Sequence, residues 1–187
     1  MTTYQGSHAQ FQNPPAEWQV HEQGNLDGTS STNGCQTLVL FRISEQRYAM
    51  ELEAVDRIIR AVAPTPVPET PDFVLGLINM AGQILPVISL RLYLGLPGRP
   101  LLPEDHFVIV RTSGFTMALV VDEVLNLSVV HTIEQAALAD ARLRGSECLV
   151  QGLVKIDGDI ILIYDLEKLL EPEDRELILQ ATAEAEI

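Results

Sequence analysis

Gly76-Leu77-Ile78-Asn79-Met80-Ala81-Gly82-Gln83-Ile84-Leu85 and Gly152-Leu153-Val154-Lys155-Ile156-Asp157-Gly158-Asp159-Ile160-Ile161 are one pattern written twice, 76 residues apart. In each, a short apolar run opened by glycine meets a second glycine and a new apolar run starts at once, the signature of strand, turn and strand. At the same offset Leu90 and Leu94 face Leu166 and Leu170. A second register, of 69 residues, joins the upstream parts: Val39-Leu40-Phe41-Arg42 faces Val108-Ile109-Val110-Arg111, Tyr48-Ala49-Met50 faces Met117-Ala118-Leu119, and Val55 faces Val124. Each unit therefore reads strand, turn, strand, short turn, strand, loop, hairpin and short helix. Self-similarity at this spacing predicts a mainly β chain of two tandem small barrels, about 37–95 and 106–170, intertwined within one domain of 37–170.

The turns have local causes. Asp157-Gly158 suits a two-residue type I′ turn, whose central positions both need positive φ; Ala81-Gly82 suits it less, because alanine pays a steric cost there. Ser89 and Asp165 stand where side-chain oxygens can cap the short helices Leu90–Leu94 and Leu166–Leu170. Pro64, Pro66, Pro68 and Pro71 impose a stiff connector between the repeated parts. Phe73 to Leu90 runs 18 residues without a charge, the length at which a membrane helix becomes a candidate. Its polar centre, Asn79 to Gln83, divides two short apolar runs, so it reads as two buried strands.

Outside the repeat the character changes. Residues 1–36 are rich in Gln, Asn, Gly, Ser and Thr, hold three acids and no base, and show neither strand nor helix period, which predicts a disordered polar arm around Trp18. Residues 171–187 predict an acidic C-terminal helix opened by Pro172. The chain carries 12 basic against 26 acidic side chains, a net charge of −14, and this argues against nucleic acid, whose binding needs clustered Lys and Arg. The start has no basic residue before an apolar run, so no secretory signal is read. Cys35 and Cys148 stand far apart without metal-ligand or disulfide spacing, as expected of reduced cytoplasmic thiols.

No residue set carries catalysis. Asp122-Glu123 are neighbours expected to diverge along a strand, Asp157 and Asp159 flank a turn, and His8, His21, His106 and His131 are scattered without metal-ligand spacing. There is no phosphate loop or nucleophile elbow. The expectation is no enzyme, no metal and no cofactor. Small barrels with open edges and a groove between them bind proteins most naturally. A small-molecule-binding or enzymatic double β-barrel stays as the alternative, and would require polar residues converging in a cavity.

Val55-Asp56-Arg57-Ile58-Ile59-Arg60, Thr65-Pro66-Val67-Pro68, the run Gly76 to Arg91, Val120-Val121-Asp122-Glu123-Val124 and the closing Gly152 to Leu170 together resemble the CheW-like family of chemotaxis coupling proteins. The resemblance implies two five-stranded SH3-like β-barrels and a non-catalytic adaptor of two-component signal transduction. Its partners would be the regulatory domain of a CheA-type histidine autokinase and the cytoplasmic tip of a methyl-accepting chemoreceptor. The protein would then be cytoplasmic, recruited to membrane-associated receptor arrays without inserting into the membrane.

By the same resemblance Val55 and Gly76 match receptor-facing positions, with Ile58 and Asn79 in the same patch, and a bulky cation at Gly76 would block assembly while the barrels stay folded. Each has a structural alternative: close strand packing for Gly76, barrel core for Val55 and Ile58, satisfied strand-end groups for Asn79. Arg57 and Ala81 depart from the family's usual acid and arginine, and Ser89 from its aspartate. If positions 57 and 81 adjoin, they would tune partner choice, and Asp56, one step along the strand, would face away from them.

Overall fold

The structure is a computed structural model and describes residues 20–22, 36–130 and 150–185. In chain order the elements are β1 (Val20–Glu22), β2 (Gln36–Ile43), β3 (Gln46–Glu51), a 3-10 turn (Leu52–Ala54), β4 (Val55–Arg60), β5 (Val74–Met80), β6 (Gln83–Ser89) and α1 (Leu90–Tyr93). Then come β7 (His106–Arg111), β8 (Thr116–Val121), β9 (Glu123–Val130), β10 (Val150–Ile156), β11 (Asp159–Tyr164), a 3-10 turn (Leu166–Lys168) and α2 (Pro172–Ala185).

Two sheets result, ordered β1-β9-β2-β3-β11-β10 and β4-β7-β8-β6-β5. Leaving β1 aside, each has five strands and the two orders are equivalent, β9 standing where β4 stands and β2-β3 where β7-β8 stand. The equivalence extends to single residues. Val55 pairs with Val110 and Arg57 with Ile109 across a bulge; Val124 pairs with Phe41 and Asn126 with Leu40 across the matching one. The parallel pairs Val87–Ala118 and Ile163–Ala49 correspond too, as do the bulges at Val74/Gly76 and Val150/Gly152.

The sheets cut across the halves of the repeat. The hairpin β2-β3, from the first half, joins β9, β10 and β11; β7-β8, from the second, joins β4, β5 and β6. The barrels are thus built by exchange of their leading hairpins rather than from the contiguous stretches 37–95 and 106–170. Packing supplies the reason. Val39, Phe41, Ile43, Tyr48 and Met50 enter one core with Val108, Val110, Met117, Leu119 and Val121, between the sheets. The alternate residues Leu38, Leu40 and Ala49 line the core of the first sheet, and Phe107, Ile109, Ala118 and Val120 that of the second. Both hairpins are buried on both faces, so their strands read as continuous apolar runs instead of alternating ones.

Of the N-terminal arm only Val20–Glu22 is described, and there the chain is a strand, parallel to β9 at Leu127–Val129. The expected lack of regular structure fails at these three residues because pairing onto an exposed edge uses backbone groups and needs no side-chain period. Trp18, Cys35, Cys148 and His131 lie outside the described residues. The acidic tail forms α2, which sets Ile178, 1% exposed, into the core between the sheets. No helix among the described residues is long and apolar enough to cross a membrane.

Candidate functional site

Two of the six residues singled out in the sequence, Val55 and Gly76, are buried in the structural frame, and a third, Ile58, is half-buried. Gly76 is buried, with φ +135°, and a Cβ built on it would lie 2.1 Å from the carbonyl oxygen of Thr65. That oxygen accepts from the Leu77 N–H at 2.8 Å, and the Thr65 N–H donates to the Leu77 carbonyl at 2.8 Å. Between Pro64 and Pro66, Thr65 alone has an N–H to give. This pair of bonds ties the continuation of β4 to β5 and closes the second sheet into a barrel. A bulky cation at Gly76 therefore cannot leave the barrel intact as expected: it meets backbone, which has nowhere to yield without opening the closure.

Val55, 4% exposed, sits in the core between the sheets, and Ile58 packs against that core while half-buried. Arg57 is exposed. Its Nε donates to Asp56 Oδ2 at 2.8 Å, and Asp56 Oδ1 accepts from Arg111 at 3.0 Å. The expected divergence of Asp56 and Arg57 onto opposite faces does not occur, because the bulge between Val55 and Arg57 inserts a residue and breaks the alternation. Across the closed barrel, Asn79 is exposed at the end of β5, and its Oδ1 accepts from the Gly82 N–H at 2.9 Å, bracing the turn. Ala81, exposed, occupies the first central position of that turn at φ 53°. The ion pair Arg57 makes is with Asp56, not with the region of position 81.

The structure also assembles a group that local pattern did not disclose. Asp122, expected from the sequence only to diverge from Glu123 along a strand, stands where the chain passes from β8 in one sheet to β9 in the other. Its Oδ2 accepts from Arg91 of α1 and, at 2.6 Å, from the Ser44 N–H in the β2-β3 turn; its Oδ1 accepts from Arg99 at 2.8 Å. Arg99 in turn forks onto Asp105, 2% exposed, at 2.8 and 2.6 Å. Burial pushes the Asp105 carboxyl up, yet the hydrogen bonds from Arg99 and the Leu102 N–H and the charges of Arg99 and Arg91 outweigh it, holding the pKa below the ordinary value. These partners come from segments 6 to 78 residues apart, a separation no motif reading bridges. Chemically the cluster is two cations and two anions that neutralise one another, a clamp between the sheets.

A groove of about 550 Å³ runs where α2 leaves the barrel, between Glu167, Glu171 and Glu176 and the cations Lys168 and Arg175. Arg175 is already engaged, donating to the Glu167 carbonyl and lying over the Phe115 ring. Among the described residues no three His, Cys, Asp or Glu side chains are grouped to hold a metal ion. Of the residues singled out in the sequence, Arg57, Asn79 and Ala81 are exposed, Ile58 is half-buried, and Val55 and Gly76 are buried beneath them.

Compared with known protein families, residues 37–174 match the CheW-like domain. The chemotaxis protein CheW of Thermotoga maritima is 30% identical over 133 residues, 70% of this chain and 85% of that protein. Protein FrzA of Myxococcus xanthus is 30% identical over 140 residues, covering 73% and 86%. Among solved structures, the crystal structure of scaffolding protein TtCheW from Thermoanaerobacter tengcongensis superposes with a TM-score of 0.66 at 29% identity, covering 75% of this chain and 96% of that one.

Proposed function

This chain belongs to the CheW-like domain family, and from that premise we propose that it is a non-catalytic adaptor coupling the cytoplasmic tip of a chemoreceptor to the regulatory domain of a CheA-type histidine autokinase. The observation that carries the reading is the match across 37–174, which takes in both exchanged hairpins and both sheets. The resemblance to a solved scaffolding protein supports it at the level of the fold. The receptor-facing patch in this reading is the exposed part of the second barrel, Arg57, Asn79 and Ala81 with Ile58. Val55 and Gly76 act beneath it, one as core and one as the position that lets the Thr65 strap approach. The protein works in the cytoplasm, recruited to receptor arrays, and contributes contacts instead of chemistry. Arg57 and Ala81, differing from the family's usual residues, set which receptor and kinase it accepts.

Reconstitution tests both levels. Receptor-bearing vesicles mixed with the kinase should sediment more kinase when this protein is added, and recovery equal to that without it would overturn the adaptor reading. Arg57→Glu with Ala81→Arg should lower the affinity for the pair about tenfold, the worth of roughly 1.4 kcal/mol at a contact surface. Unchanged recovery with an unchanged melting temperature would move the patch elsewhere.

A further inference from the structure

The two sheets are equivalent residue by residue, but their outer edges are not equally occupied. At the edge of the first sheet, Leu127, Ser128 and Val129 of β9 pair in parallel with Val20, His21 and Glu22. The offset of 69 that superposes Val124 on Val55, bulge included, places Ile58, Ile59 and Arg60 of β4 at the corresponding edge of the second sheet. Among the described residues β4 pairs with β7 on one side and with no strand on the other.

We propose that this outer edge of β4 accepts an extended acidic segment of a partner, added in parallel opposite Ile58 to Arg60 as β1 is added to β9. Main-chain hydrogen bonds to the edge supply the attraction, as in other strand additions. Charge selects the occupant. Arg57 and Arg60 lie on the edge strand β4 with Asp56 as its one acid, shared between Arg57 and the Arg111 of β7, while Arg60 donates to the Glu104 carbonyl, so the edge strand carries a net positive charge in a protein of net charge −14. Arg57 and Arg111 extend into solvent, with side chains 57% and 69% exposed. The segment already placed on the first sheet comes from an arm with three acids and no base, and supplies the chemical type.

Bulges and charges often protect an edge from pairing. Here the matching bulge in β9, at Leu125, lies two residues before Leu127 and does not prevent β1 from adding. The cations at β4 repel basic segments and leave acidic ones free to approach.

The test uses the full chain and, as probe, a fluorescein-labelled peptide of residues 15–26. Anisotropy should give saturable binding that weakens as salt rises, with amide shifts in 15N-labelled protein at Ile58, Ile59 and Arg60. Arg57→Glu with Arg60→Glu should weaken it about tenfold. A peptide carrying Glu17→Lys and Glu22→Lys should bind at least about tenfold more weakly than the native peptide. No binding, or shifts confined to Leu127–Val129 where the probe would only replace the chain's own arm, would overturn the proposal. Receptor and kinase are absent from the experiment, so its failure leaves the adaptor reading standing.

Discussion

Asp105 keeps its charge although its side chain is almost fully enclosed, because Arg99 presents two hydrogen bonds to it and Leu102 a third. A carboxyl whose pKa is lower folded than unfolded adds stability that is fully present above its unfolded value, about 3.9, and is lost as pH falls through the folded value. The urea midpoint should therefore drop as pH is taken from 5 to about 3, and Asp105→Asn should show a shallower drop over that window from a lower starting point. Equal slopes in the two proteins would mean that the Arg99 fork does not hold the charge. None of this was legible in the local sequence. Arg99 and Asp105 flank an ordinary loop, and Asp122, which completes the group, is reached only when the sheets meet. Val55 and Gly76, by contrast, were found by motif, but their burial and the Thr65 closure over Gly76 became visible only in the structure.

The hairpins are the elements that local chemistry specified best. Both central residues of each turn have positive φ, 53° and 91° at Ala81-Gly82 and again at Asp157-Gly158. Ser89 Oγ accepts from the Leu92 N–H and Asp165 Oδ1 from the Glu167 N–H, so the short helices start at the capping oxygens that the sequence displayed. The β5-β6 hairpin carries one glycine that must stay and one alanine that strains. Gly76→Ala should cost more than about 2 kcal/mol, since Cβ would meet the Thr65 backbone. Ala81→Gly should instead add about 0.5–1 kcal/mol by releasing left-handed strain, less the entropy that glycine brings to the unfolded chain. Chemical denaturation of both variants checks the pair of signs. A neutral Gly76→Ala would show that the strap yields freely. The strand β1 marks the opposite case, an element held by an edge rather than by its own pattern.

At the scale of the molecule, the exchange of hairpins makes each half of the repeat depend on the other. Residues 36–95 and 96–185 prepared as separate chains should each lack a cooperative melting transition, and mixing them should restore one at 1:1 stoichiometry. A half that melts cooperatively alone would mean that its sheet does not need the exchanged hairpin. The sequence by itself determined the repeat, the strand pairs, the turns and caps, and the family to which motif order points, because each rests on period, turn chemistry or residues close along the chain. Only the tertiary structure decided which hairpin joins which sheet: an apolar run buried on both faces looks the same in either barrel, and its partner is fixed by pairing between segments 46 to 94 residues apart. It also decided that Gly76 supports the surface from below, that Asp122 clamps the sheets together, and that the edge of β4 is left open where β9 is filled. Each of these depends on backbone or charge brought close by the closed sheets, and distance along the chain carries no trace of it.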